Sequence, residues 1–228
     1  MRIPRALAVP LACLAVGAPA AMAATVDGDD NANLLRGTAA PDLISGRGGN
    51  DLITGFLGPD TLRGEAGNDV VFGGRGRDLL LGGTENDALH GGPNRDVVLG
   101  QAGDDVLSGG LRGDVLSGGT GDDRVLAGPG FDTVYLGGGA DMVMAGRGND
   151  VVMSRAADGV ADVIVCGPGF DRVVAREEDQ VDPSCERVRR LPAAAADADP
   201  GDEDTAPAAL ARGDEPGAPD AGDDPEQD

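Results

Sequence analysis

The sequence predicts an all-β fold in which the chain winds into a solenoid of nine-residue units. Three observations predict it: an aspartate that returns every ninth residue, an aliphatic residue two places after it, and a glycine-rich stretch before it. The composition agrees, because 39 Gly and only 2% aromatic residues in a chain of 228 leave too little large-side-chain volume for a thick globular core.

The aspartates occupy the sixth position of each unit. The register holds through fourteen units, the first with Asn33 in this position, and resumes after a three-residue insertion around residues 156–158. We therefore single out one set of fifteen residues as candidate metal ligands: Asp42, Asp51, Asp60, Asp69, Asp78, Asp87, Asp96, Asp105, Asp114, Asp123, Asp132, Asp141, Asp150, Asp162 and Asp171.

The aliphatic residues occupy the eighth position of all sixteen units, from Leu35 to Val173. Because side chains alternate between the two faces of a strand, position eight faces one way and positions seven and nine face the other. Position eight is therefore the predicted core. Two units, each a six-residue turn and a three-residue strand, make one coil with two facing sheets and turns stacked along both edges.

Glycine supplies the backbone conformations that these turns need, because it can take positive φ or approach another group closely. Turns 37–42, 82–87 and 109–114 lack expected glycines, and Glu85 and Arg112 do not adopt the left-handed region easily, so we expect weaker sites there. The predicted turn glycines are Gly49, Gly58, Gly67, Gly74, Gly76, Gly103, Gly119, Gly121, Gly130, Gly139 and Gly148.

Two units, GGRGRDLLL (73–81) and GGTGDDRVL (118–126), match the full pattern G-G-x-G-x-D-x-U-x. On these residues, the region from about 28 to 174 resembles the hemolysin-type, or RTX, calcium-binding nonapeptide repeats. The resemblance implies a right-handed parallel β-roll, with multiple calcium ions held between stacked turns on both edges.

The chemistry of the aspartates also favours calcium. Equivalent carboxylates of successive coils would lie about 4.8 Å apart on one edge and repel by about 1 kcal/mol per pair even in bulk water. Calcium takes roughly six to eight oxygens in flexible geometry, whereas magnesium demands a tighter octahedron, and one histidine, His90, is too few for a zinc cluster. We predict folding coupled to calcium binding. The alternative is that the aspartates are solvated turn formers.

The N-terminus has the features of a secretory signal peptide over residues 1–23. Two arginines precede an apolar stretch, and Ala21-Met22-Ala23 forms the small-x-small cleavage pattern. A retained membrane anchor fits less well because Pro10 and Pro19 interrupt the run, and a lipoprotein signal at Cys13 fits poorly. We expect a secreted, extracellular mature chain without a transmembrane segment.

After the β-roll of residues 24–174 we expect a cap at 175–190, with a strand around 186–188, and a disordered acidic tail at 191–228. Once the signal peptide is removed, Cys166 and Cys185 are the two remaining cysteines. An even number in a secreted chain favours a disulfide between them, and two free thiols are the alternative.

A net charge of −22 argues against nucleic acid and anionic membranes as partners. The sequence contains no hydrolase motif or candidate catalytic triad, so we expect a non-enzymatic, secreted calcium-binding protein. One alternative is an adhesin or self-assembling matrix component that uses the apolar residues at outward positions seven and nine. A module related to secreted toxins or hydrolases is less favoured. Self-association or a cell-surface partner stays open.

Overall fold

The computed structural model describes residues 22–192, and all regular structure in this range is β-strand. Nearly all of the expected signal peptide, and the expected acidic tail from residue 193 onward, lie outside the described residues. The strands are β1 Thr25–Asp27, β2 Leu34–Arg36, β3 Leu43–Gly48, β4 Leu52–Leu57, β5 Thr61–Ala66, β6 Val70–Arg75, β7 Leu79–Thr84, β8 Ala88–Gly92, β9 Val97–Ala102, β10 Val106–Gly110, β11 Val115–Thr120, β12 Arg124–Pro129, β13 Thr133–Tyr135, β14 Met142–Arg147, β15 Val151–Met153, β16 Val163–Val165, β17 Arg172–Arg176, β18 Gln180–Val181 and β19 Arg187–Leu191.

The strands alternate between two parallel sheets. The odd-numbered strands form a ten-stranded sheet and the even-numbered strands a nine-stranded sheet, each in sequence order. In the regular region the paired residues are two units apart, as Leu80 pairs with Val98. One coil is therefore two units, and the predicted all-β solenoid with two facing sheets is confirmed.

The core is a column of aliphatic side chains between the sheets. The position-eight residues from Ile44 to Ile164 are fully buried, as predicted. Burying each such side chain stabilises the fold by roughly 1.5–3 kcal/mol. Position one also faces the inside of the roll, which the two-residue period did not predict. It is glycine in every unit from Gly28 to Gly118, and larger residues then join the core, among them Leu136 and Cys166.

The last two strands extend both sheets although the nine-residue register is lost after residue 174. Strand β18 pairs with β16, placing Val181 beside Ile164, and β19 pairs with β17, placing Val188 beside Val173. The strand expected at 186–188 is thus part of β19. The Cys166–Cys185 disulfide is present and links the 166–171 turn to the segment between β18 and β19.

Over the part of the chain that the structure describes, no helix is long and apolar enough to cross a membrane.

Candidate metal centre

The position-six residues form two hydrogen-bonded ladders, one along each edge of the roll. Each backbone N–H donates to the Oδ1 atom of the aspartate one coil further on, so that Asp78 N–H donates to Asp96 Oδ1 at 2.9 Å. All fifteen predicted aspartates are buried, with at most 5% of their surface exposed. One ladder contains Asp42, Asp60, Asp78, Asp96, Asp114, Asp132, Asp150 and Asp171. The other contains Asn33, Asp51, Asp69, Asp87, Asp105, Asp123, Asp141 and Asp162.

Both ladders end on acids that the sequence argument did not include. Asp171 N–H donates to Glu186 Oε2 at 2.8 Å, and Asp162 N–H donates to Asp179 Oδ1 at 3.1 Å. A sequence signal exists, because each of these acids has a valine two places later, as do many regular units. This pattern is not recognised from the repeat, because the nine-residue spacing is broken after residue 174.

The second carboxylate oxygen of most ladder aspartates is buried without a hydrogen-bond partner among the described residues. Leaving a buried acceptor unsatisfied costs about 1–3 kcal/mol, and more when it is charged. These oxygens are the Oδ2 atoms of Asp51, Asp60, Asp69, Asp78, Asp87, Asp96, Asp105, Asp114, Asp123, Asp132, Asp150 and Asp171.

Three predicted ligands differ, because protein groups donate to their second oxygen. Thr38 donates to Asp42 Oδ2 through its backbone N–H and its hydroxyl. Gly137 N–H donates to Asp141 Oδ2 at 3.2 Å, and the Ser154 hydroxyl lies 2.7 Å from Asp162 Oδ2. These three carboxylates have less need of an ion.

Beside many position-one glycines, the unpartnered Oδ2 atom of the same unit lies close to a backbone carbonyl oxygen of the next coil. A Cβ placed on Gly91 would lie 2.7 Å from Asp96 Oδ2 and 2.7 Å from the Gly109 carbonyl oxygen. Only a hydrogen atom fits where these two oxygens converge, which explains glycine at position one in eleven consecutive units from residue 28 to 118. Across residues 22–192 no three His, Cys, Asp or Glu side chains are grouped to hold a metal by themselves. An ion here must therefore also use backbone carbonyls, which calcium accepts readily.

The turns take the left-handed conformation at glycines and at other residues. Nine of the eleven predicted turn glycines have positive φ; for Gly76 and Gly130 the constraint is space, because a Cβ would collide with the carbonyl of the preceding coil. Glu85 and Arg112 also adopt positive φ, at 70° and 77°. Both residues thus adopt the left-handed region, each with strain of about 1–2 kcal/mol. The weaker sites expected in turns 82–87 and 109–114 stay a prediction, and the unpartnered Oδ2 atoms of Asp87 and Asp114 argue against it.

Burial raises the pKa of the ladder aspartates, most strongly in the middle of the roll. Burial is the main cause in each case, and the N–H that donates to Oδ1 offsets it only partly. The pKa of Asp78 rises to about 6, that of Asp96 to about 7 and that of Asp123 to about 8. Around Asp123 the carboxylates of Asp141 and Asp105 raise the pKa further. These groups resist ionisation unless a positive charge is brought to them.

The fold and the site together define a class: a parallel β-solenoid in which the turns present ladders of buried carboxylate and carbonyl oxygens is a repeat protein that binds hard cations. The family of RTX calcium-binding nonapeptide repeats matches in four copies, over residues 27–55, 57–80, 81–116 and 117–152. The chain belongs to this family, whose repeats bind multiple calcium ions. A search of curated proteins found no match.

Proposed function

We propose that the chain is a secreted, non-enzymatic calcium-binding protein whose β-roll folds together with the binding of its ions. One observation carries this proposal: twelve aspartates bury an Oδ2 atom for which the described residues provide no hydrogen-bond donor. At about 1–3 kcal/mol each, twelve unsatisfied oxygens exceed the 5–15 kcal/mol that typically stabilises a domain, by about a factor of two. The folded roll therefore needs a counter-charge along both ladders.

The chain's own residues orient the ligands. The hydrogen bond from Asp78 N–H fixes Asp96 Oδ1, and this leaves Oδ2 beside Gly91 and the Gly109 carbonyl. Calcium, when bound, supplies the positive charge that these oxygens lack. We assign the main sites to the twelve aspartates with an unpartnered oxygen, and weaker or no binding to Asp42, Asp141 and Asp162.

The test is far-UV circular dichroism of the purified chain with calcium and with a chelator, followed by calorimetric titration. We expect the strand signal to appear on calcium addition and magnesium to substitute poorly, because magnesium gives up its water reluctantly. Equal strand content with calcium and with chelator would show that folding does not depend on the ion.

Secretion and the absence of catalysis are separate parts of the proposal. The first is supported by the N-terminal pattern ending at Ala23, and N-terminal sequencing of protein recovered from the culture medium tests it. The second is supported by the placement of the acids: every aspartate buried within residues 22–192 belongs to one of the two ladders. A hydrolytic activity that survives purification to homogeneity would contradict it.

The outward face of the nine-stranded sheet favours a second candidate, a calcium-dependent adhesin or matrix component. Exposed apolar side chains recur there at position seven of its strands: Leu34, Leu52, Val70, Val106 and Met142, with 37–57% of their surface exposed. A contiguous exposed apolar patch is a common mark of a binding surface. Light scattering tests the self-assembling form: calcium should increase particle size in the native chain and not in a Leu52→Thr, Val70→Thr variant.

A further inference from the structure

The exposed side chains on the regular turns of the two edges differ in charge. We call the edge with the Asp42 ladder the arginine edge; its turns are 37–42, 55–60, 73–78, 91–96, 109–114, 127–132, 145–150 and 166–171. We call the opposite edge, with the Asp51 ladder, the acidic edge; its turns are 28–33, 46–51, 64–69, 82–87, 100–105, 118–123, 136–141 and 154–162.

Apart from the buried ladder aspartates, these eight turns of the arginine edge contain no acidic residue, and the last turn of this edge, 182–186, carries the exposed Asp182 and Glu186. Five exposed arginines lie on its turns: Arg75, Arg77, Arg95, Arg112 and Arg147. Large apolar side chains lie on the same edge with 45–57% of their surface exposed: Phe56, Leu57, Leu111, Phe131 and Phe170. In a chain with a net charge of −22, this is a segregated basic and apolar surface.

The acidic edge has the complementary composition. Its exposed acids are Asp29, Asp30, Glu65, Glu85, Asp104, Asp122 and Asp158. Small residues accompany them at position three of several turns, including Ala66 and Ala102. The basic residues of these turns are Arg47, which pairs with Asp27 at 3.1 Å, and Arg155.

We propose that the arginine edge of one copy binds the acidic edge of a second copy, with the roll axes parallel and the coils at the same level. Both edges belong to the same coils, so their charges recur with one spacing. Both edges are charged on the third to fifth turns. On the arginine edge these turns carry Arg75, Arg95 and Arg112, and on the acidic edge they carry Glu65, Glu85 and Asp104. A sideways shift of one copy brings these stretches opposite each other.

This contact also buries the apolar side chains of the arginine edge against small residues. Because the two contacting surfaces differ, the interface is heterologous and leaves a free edge on each outer copy, so repetition gives an open layer. A nucleic acid or an anionic membrane would neutralise only the arginine edge and would be repelled by the rest of the molecule. A second copy satisfies both edges, which is why the charge pattern favours it. The inference goes beyond calcium binding and uses no calcium ligand.

The experiment is sedimentation velocity of the full chain in saturating calcium at low and high ionic strength. We expect concentration-dependent association at low ionic strength and its loss in high salt, because exposed charges are screened. Two charge-reversal variants test the edges. R75E/R112E places acidic residues on the third and fifth turns of the arginine edge, and E65R/E85R places arginines on the third and fourth turns of the acidic edge. The second variant places arginine at backbone conformations that Arg47 and Arg112 already adopt at the equivalent positions, with φ of 75° and 77°.

Each variant alone should associate at least about tenfold more weakly than the native chain, since two attractive pairs become repulsive. An equimolar mixture of the two should recover association into pairs, because the unchanged arginine edge of E65R/E85R can bind the unchanged acidic edge of R75E/R112E. Arg63→Glu is the matched control, because Arg63 is exposed on the outward face of the ten-stranded sheet, and it should associate as the native chain does.

Native-like association of R75E/R112E would overturn the proposal and point to the apolar sheet face. The proposal would also be overturned if the chain stayed monomeric at all ionic strengths, or if the mixture of the two variants did not recover association. Association that appears only after truncation following Pro192 would overturn it as well, because it would mean that the acidic C-terminal segment covers the arginine edge. Circular dichroism on the same samples keeps the two proposals separate. If the chain folds without calcium, coupled folding is refuted, but the sedimentation experiment still tests the contact between the two edges.

Discussion

Replacing Asp96 by asparagine should have opposite effects on stability with and without calcium. Asn can still accept the Asp78 N–H at its carbonyl oxygen, so the ladder hydrogen bond of 2.9 Å can persist. The second oxygen, which has no partner among the described residues, becomes an NH₂ group. The variant therefore isolates the charge and the ligand atom from the ladder.

With calcium, the variant loses a charged ligand oxygen beside the Gly109 carbonyl, and we expect a loss of about 1.5–3 kcal/mol. For a domain of this size that corresponds to a fall in Tm of roughly 3–12 °C. Without calcium the substitution removes a buried carboxylate whose pKa burial raises to about 7. At pH 8 the calcium-free variant should therefore be at least as stable as the native chain.

In excess calcium the assay is thermal unfolding followed by far-UV circular dichroism. In excess chelator, where we expect the native chain to be largely unfolded, the assay is the residual strand signal at pH 8. Asp104→Asn is the matched control. Asp104 is exposed at position five, and its Oδ1 accepts Asp122 N–H at 2.9 Å in the same manner that Asn68 accepts from Asn86. The control should be close to neutral in both conditions. Equal destabilisation of Asp96→Asn with calcium and with chelator would refute the assignment of its Oδ2 atom to the ion.

Three further predictions follow from the ladders, the last coil and the turns. Burial raises the pKa of Asp78 from 3.8 to about 6 and that of Asp123 from 3.8 to about 8, so the folded chain retains protons that the unfolded chain loses. Calcium-free folding should therefore strengthen as pH falls from about 8 toward 4, and calcium affinity should weaken. Circular dichroism and calorimetry at stepped pH measure the two effects. Flat profiles would contradict this prediction. Removing the disulfide with C166A/C185A should lower the free energy of unfolding by about 3 kcal/mol, measured in urea against the native chain, because the bond closes a loop of 19 residues; an unchanged midpoint would mean that the last coil is held by packing alone. Gly119→Ala should lower the free energy of unfolding by more than about 1 kcal/mol, because Gly119 has φ of 117° and a Cβ would collide with the Gln101 carbonyl. Gly48→Ala, whose Cβ would lie 3.5 Å from the nearest atom, should be neutral. Equal urea midpoints for the two variants would refute this prediction.

Much of the architecture was predictable because the repeat is local and regular. The buried column from Ile44 to Ile164 follows from the two-residue side-chain period of a strand, and the aspartates follow from the nine-residue spacing. Asp179 and Glu186 were not predicted, because they do not follow the nine-residue spacing. They join the ladders through strand pairing, which tolerates a deletion that spacing does not.

The sequence alone determined the repeat, the identity of its inward residues and the all-oxygen chemistry of its turns, since each depends on residues within one unit. The tertiary structure decided which carboxylate oxygens are already satisfied. Asp42 and Asp96 have the same place in the repeat, but Thr38 donates to the second oxygen of Asp42 and no described residue donates to that of Asp96. The structure also decided how the charges are distributed. Alternate turns fall on opposite edges only after the chain is coiled, so the exposed charges of the turns separate into one arginine edge and one acidic edge.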